Sequence, residues 1–372
     1  MYTNLLNSIK HSSLNVAKNV LESLLKEGAE PWVIHEALFP VVQSVLNPPF
    51  INPHLPKMYA INRELAGYLQ PEDVSMLVRV EVEEYARREK LKPIAPPSLL
   101  PSLSDFKEVE NAIAARDVLT TSETLSAFLA KAGPLQLAKN LLILGSGYLD
   151  QSLGHSISCT AYLLIEMDIR KDEDPWPVLV SIAEYFCKGN FSQRPKMHYS
   201  AISDYPEVYL IDVKRAVSGT GIAPLHHTIT LYAIERSRHL LDHQEYDHVL
   251  TKWNKMLGDK GEDLIPSAEI ASQPIPEFDA FYQIFLESSP TKILALAKKS
   301  LDSKEQRKRL AAHLIKAVLR SYNGYYNPHC LTGLGATVWV MERFNEHPDV
   351  VLTCLNQYLD FFFSNVELSS KG

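Results

Sequence analysis

Cysteine is scarce in this 372-residue chain. The four present (Cys159, Cys187, Cys330, Cys354) form no CxxC pair and have no zinc-finger spacing. A disulfide framework and a cysteine-rich zinc module are therefore excluded, and reduced thiols in a cytoplasm are expected. An excess of basic charge is also lacking. Lys and Arg number 37 against 44 Asp and Glu, a formal net charge of −7. General nucleic-acid binding needs a basic footprint, so no nucleic-acid partner is expected. No apolar run approaches the ~18 residues of a membrane span. The first 21 residues mix polar and apolar side chains without the continuous apolar stretch of a signal peptide. The expectation is a cytoplasmic protein with no membrane partner. Period-2 alternation is scarce too, which argues against strands and βαβ units.

Hydrophobic residues make up 46% of the chain and charged residues 22%, an ordinary globular balance. Leu14, Ala17, Val20, Leu21, Leu24 and Leu25 follow the spacing of a one-sided helix. Similar stripes run through 33–46, 110–132, 135–144, 156–167, 177–187, 228–241, 293–301, 309–321, 331–344 and 350–363. These predict an all-α fold, a multi-helix array or bundle of about a dozen helices. Residues 92–102 (KPIAPPSLLPS) and 263–277 (DLIPSAEIASQPIPE) are too proline-rich for regular helix. They read as linker-like breaks wrapping one compact helical domain over residues 1–372.

One pattern recurs. His155-Ser-Ile-Ser-Cys-Thr-Ala161, His227-Thr-Ile-Thr-Leu-Tyr-Ala233 and His329-Cys-Leu-Thr-Gly-Leu-Gly335 share the form H-x-[IL]-[ST]-x-x-[AG]. Each copy follows a helix-start signal: Gly154, Pro224-Leu225-His226 and Asn327-Pro328. A histidine in a first helical turn sits in the positive end of the helix dipole, which favours the neutral, metal-binding imidazole. The small seventh residue lets helices approach closely. A capping or packing histidine is the plain alternative for each copy taken singly.

Two more histidines fit loosely. His35 follows Pro31 by about one turn, and His313 lies in His313-Leu-Ile-Lys316, where lysine replaces the hydroxyl. His313 and Lys316 share a helix face with Ala312, Ile315 and Leu319 close by. A buried lysine there would be a neutral amine able to add carbon dioxide and become an anionic carbamate ligand. The other reading is a packed stem with its head in water.

These helix-opening histidines, together with AAHLIKAVLRS in the C-terminal third, resemble the questin oxidase-like proteins. The resemblance is made of short motifs scattered between His35 and Phe344. It implies a mononuclear non-haem iron oxygenase that uses dioxygen to open the ring of an aromatic or polyketide-like compound. In that family four histidines and a carboxylated lysine hold the iron. Carried over, Lys316 is the carboxylated lysine, His155, His227 and His329 are ligands, and His35 or His313 is the fourth. The implied cofactor is Fe(II), with zinc and manganese as alternatives. Lys316 and His226 are the candidate catalytic groups, and Trp32, Tyr232, Tyr326 and Trp339 the candidate lining of a flat apolar pocket. Core packing is the other role open to those four rings.

Other motifs fail. Gly145-Ser-Gly147 lacks the third glycine of a dinucleotide fingerprint, and Gly219-Thr-Gly221 lacks the Gly-Lys ending of a P-loop. Glu245-Tyr-Asp-His248 is a single E-x-x-H where a di-iron bundle needs two. No G-x-S-x-G or C-x-x-C-H occurs. A non-catalytic helical scaffold and a zinc hydrolase using the same histidines are the competing readings, and a homo-oligomer is left open. The repeat positions 155, 227 and 329 are unevenly spaced, which disfavours a solenoid.

Overall fold

The structure is a computed structural model. It describes residues 2–103, 105–189, 205–259 and 261–368, with side chains of 205–208 left aside. Among these residues the chain is helical throughout, and the only β contacts are two isolated bridges, Val45 with Lys90 and Asn47 with Phe50. The helices outnumber the expected dozen because some, such as His54–Ala66 and Pro71–Arg87, form where no stripe was read, and because two stripes break into pieces. The stripe at 33–46, for example, divides at Leu38 and Phe39 into Pro31–Ala37 and Phe39–Val42, with Pro40 starting the second. No helix among the described residues is long and apolar enough to cross a membrane. The proline-rich stretches at 92–102 and 263–277 run mostly exposed, the second containing one 3-10 turn, Ser267–Glu269.

Four helices position the site: His54–Ala66, His155–Ile169, Ile222–Arg236 and His329–Arg343. They pack in a closed ring, each against two of the others. All four are buried nearly all round, so none shows the polar face of a surface helix. They also run in the same direction. His54 contacts His155 near the helix starts, and Arg63 binds Glu166 two to three turns further on. The Tyr162 ring meets that of Tyr232, and Tyr232 meets Trp339, at matching depths below the histidines. Parallel neighbours cannot be joined by short loops, and the remaining helices form the long returns between them.

Close approach within the ring depends on missing side chains. Gly335 faces Ile61, where a Cβ would lie 2.4 Å from Ile61 Cγ2. Gly154 caps the His155 helix at φ +80°, a left-handed conformation, and a Cβ there would strike Thr230 Oγ1 at 1.8 Å. Arg63 clamps Glu166 through two bonds, Nε to Oε1 at 3.1 Å and Nη2 to Oε2 at 2.9 Å. With Glu166 almost fully buried, this pair fixes the register of the first two helices.

Candidate metal centre

Asn52-Pro53 and Asn327-Pro328 each end an extended segment and start a helix with histidine as its first residue. Gly154 does the same for His155, and His226 lies in the first turns of its own helix. Because the four helices start at one end of the bundle, these four imidazoles meet. Ring centroids are 4.5 Å apart for His54–His155, 4.6 Å for His155–His226, 4.5 Å for His226–His329 and 5.0 Å for His54–His329. His54, His155 and His329 each offer a ring nitrogen within 4.8 Å of the others, so a buried three-histidine group able to hold a metal ion is present. His226 Nε2 lies 3.2 Å from His155 Nε2.

Hydrogen bonds set the tautomers. His155 Nδ1–H donates to the Ser152 carbonyl at 2.6 Å, and His226 Nδ1–H to the Ile222 carbonyl at 2.6 Å. His329 Nδ1–H donates to Asn327 Oδ1 at 2.7 Å, an oxygen identified as such because the His329 backbone N–H also donates to it. All three rings therefore turn Nε2 inward as an acceptor, as metal-binding histidines do. His329 Nε2 is buried and makes no hydrogen bond. Such groups are costly unless something binds them.

The surroundings oppose positive charge on the rings. Burial, and then the neighbouring imidazoles and Lys57, hold His54, His155 and His329 well below the ordinary histidine range. His226 is lowered to about 3, chiefly by burial and then by Lys57. The four helix dipoles act in the same sense. Lys57 is fully buried one turn after His54, with its Nζ 3.4 Å from Ser158 Oγ, one turn after His155. Burial lowers its pKa as well, and among the described residues no carboxylate pairs with it.

A cavity of about 420 Å³ opens onto the imidazoles. Phe50, Ile51, Leu153, Ile222, Tyr185 and Tyr325 supply much of its wall, and among the described residues no Asp, Glu, Lys or Arg lines it. A larger groove of about 630 Å³ lies elsewhere, around Tyr209, Arg238 and Arg343. No group of metal-binding side chains converges there among the described residues.

Of the residues singled out from sequence, His155, His226 and His329 are brought together. The others are placed apart from the cluster. His35 is buried between Trp32 and Tyr59, with Nδ1 2.9 Å from Glu81 Oε2. His227 points away from its neighbour's cluster, because adjacent helix residues face different directions. Its carbonyl accepts from the Trp253 indole at 3.0 Å. His313 bonds the Pro276 carbonyl at 3.2 Å and packs on Phe278 and Phe281. Lys316 is not desolvated: it pairs with Asp73 at 3.0 Å, over the Phe278 ring. None of the four expected pocket rings lines the cavity. Trp32 is partly exposed. Tyr232 and Trp339 pack together down the bundle, with Tyr232 bonded to Glu64. Tyr326 bonds the Val318 carbonyl.

The sequence reading missed His54 and Lys57. A signal was there: Asn52-Pro53-His54 repeats Asn327-Pro328-His329, and Lys57 stands at the hydroxyl position of the repeated frame. No protein-family model matches the chain, and no curated protein or solved structure is found to be similar to it. The geometry alone therefore carries the functional argument.

Proposed function

We propose that the chain is a metal-dependent oxidoreductase that oxygenates an aromatic or polyketide-like small molecule with dioxygen, as in the questin oxidase-like proteins. The observation that carries the metal is the buried group of ring nitrogens from His54, His155 and His329, within 4.8 Å of one another, with His226 Nε2 3.2 Å from His155 Nε2 and the Nδ1–H of His155, His226 and His329 all committed to oxygens. Facing lone pairs repel unless a cation lies between them, and the set of imidazole donors suits a first-row transition metal. A redox-active ion such as Fe(II) would supply one-electron chemistry with dioxygen.

Lys57 supports the same reading. Four positive helix ends face the cavity, the Lys57 amine lies one turn along from His54, and among the described residues no acid lines the cavity, so none of these would serve a divalent ion as an anionic partner. Burial lowers the Lys57 pKa and so favours the neutral amine, the form that can add to carbon dioxide. An N–C bond forms, one proton leaves, and a carbamate anion results. The role that the resemblance gives to Lys316 is thus open to Lys57. The apolar wall would take a flat, uncharged ring, and the helix dipoles would favour a deprotonated phenol or enol oxygen at the imidazoles.

Elemental analysis of the purified chain tests the metal. Near-stoichiometric iron is expected in the wild type and a small fraction of it in His155→Ala or His329→Ala. Iron-loaded protein should consume oxygen when given hydroxylated polycyclic aromatics. Zinc as the bound metal, with no oxygen uptake, would favour a hydrolase. No iron, manganese or zinc at all would remove the proposal.

A further inference from the structure

Distance groups His54 with the other three imidazoles, but hydrogen bonding separates it. Asn47 Nδ2 lies 3.1 Å from His54 Nδ1. The orientation of that amide is fixed from behind. Its Oδ1 accepts from Arg88 Nη1, and a guanidinium only donates. Asn47 therefore presents its NH2 to His54 and makes Nδ1 an acceptor. Arg88 is itself held: Nη2 donates to Glu84 Oε2 at 2.5 Å and to the Tyr326 carbonyl at 3.0 Å. Glu84 accepts further from the Tyr326 N–H and the Tyr322 hydroxyl. Asn47, Arg88, Glu84 and His54 are all buried.

A neutral His54 must then carry its proton on Nε2. That nitrogen lies 2.7 Å from His155 Nε2, an acceptor because its own Nδ1–H is given to Ser152. So His54 donates where the other three rings accept. Resting on the metal-centre reading above, we infer that His54 is a hydrogen-bond donor facing a three-histidine site of His155, His226 and His329, and that Asn47 is the positioning residue that makes it so. For His54 to ligate through Nε2, its proton would have to move to Nδ1. There it would oppose the Asn47 NH2, and turning that amide would instead oppose Arg88. With a cation on His155 Nε2, the His54 N–H loses its present acceptor. It then points to whatever oxygen occupies the open side of the site, and can hydrogen-bond it.

Nitrogen NMR of ¹⁵N-histidine-labelled full-length chain tests this, without metal and with zinc as a diamagnetic probe, beside zinc competition titrations. In both states His54 should show the proton on Nε2 and the other three rings on Nδ1. His54→Ala should change zinc affinity less than about 3-fold, whereas His155→Ala and His329→Ala should lower it more than about 100-fold, beyond what partners of ligands reach. Asn47→Asp keeps an oxygen for Arg88 and offers a second to Nδ1–H. It should move the His54 proton to Nδ1, recruit the ring as a ligand and raise zinc affinity about 10-fold. Merely loosening the fold would lower it. Zinc binding with the proton on His54 Nδ1 in the wild type, or a loss in His54→Ala equal to that in His155→Ala, overturns this inference and leaves the metal centre standing. A wild type that takes up no metal overturns both.

Discussion

Lys57 is the residue whose burden is easiest to isolate. It has no exposed surface and no carboxylate partner among the described residues, so its charged form is disfavoured in the metal-free chain. An apolar side chain of similar length removes that cost. Lys57→Met is expected to stabilise the metal-free chain by about 1–4 kcal/mol, measured by urea unfolding, while lowering iron uptake in elemental analysis. A fall in metal-free stability would mean that the amine is better paired than its surroundings show. Lys316 makes the contrast. The same residue type, in another helix, keeps part of its side chain exposed and reaches the Asp73 carboxylate at 3.0 Å. Sequence spacing placed Lys316 on a helix but marked no helix around Lys57, and it could not say which helix is buried all round.

At the scale of the helix, contacts between residues far apart in sequence decide the geometry. Gly335 and Ile61 belong to different members of the ring, and their fit sets how near the His54 and His329 helices come. Gly335→Ala should destabilise the chain by about 1–3 kcal/mol and weaken metal binding by spreading the two histidines. Removing the obstructing methyl in Gly335→Ala/Ile61→Ala should leave the double variant at least about 1 kcal/mol better than the two single losses added. Denaturant titration of the four proteins measures this, and simple additivity would show that the helices are spaced by something else.

The helical class was legible, because apolar stripes at 3.6-residue period need no partner to be seen. So was the idea that histidines at helix starts converge, since Gly154 and Asn327-Pro328 mark those starts in the chain. The choice between His226 and His227 was not legible. They differ by 100° around one axis, and only the neighbouring helices say which direction is inward. His54 was overlooked because its frame, His54-Leu-Pro-Lys57, breaks the hydroxyl pattern that drew attention to the others. The aromatic lining was unreadable for a related reason. Tyr325 faces the cavity while Tyr326, one residue on, is core.

Taken whole, the molecule gathers four uncharged imidazoles at one end of a parallel bundle. In the unfolded chain these groups take up protons near pH 6.5. In the folded, metal-free chain they do so only far lower, His226 at about 3. Between those values the unfolded state binds more protons, so stability is present above about pH 6.5 and lost as pH falls below it. Each imidazole contributes up to about 1.4 kcal/mol per pH unit. Thermal unfolding of metal-free protein should therefore show a steady Tm from pH 8 to 7 and a steep fall from 6 to 5. A profile flat to pH 5 would mean that the cluster accepts protons in the native state.

The four ring-bearing segments are strung across positions 54 to 329, and one ion held by His155, His226 and His329 would tie the middle third of the polypeptide to the last. Such an ion is a clasp as well as a reagent. A backbone nicked in the exposed proline-rich stretch at 263–277 would keep its two fragments joined while the clasp is shut, and release them more readily once a chelator has opened it.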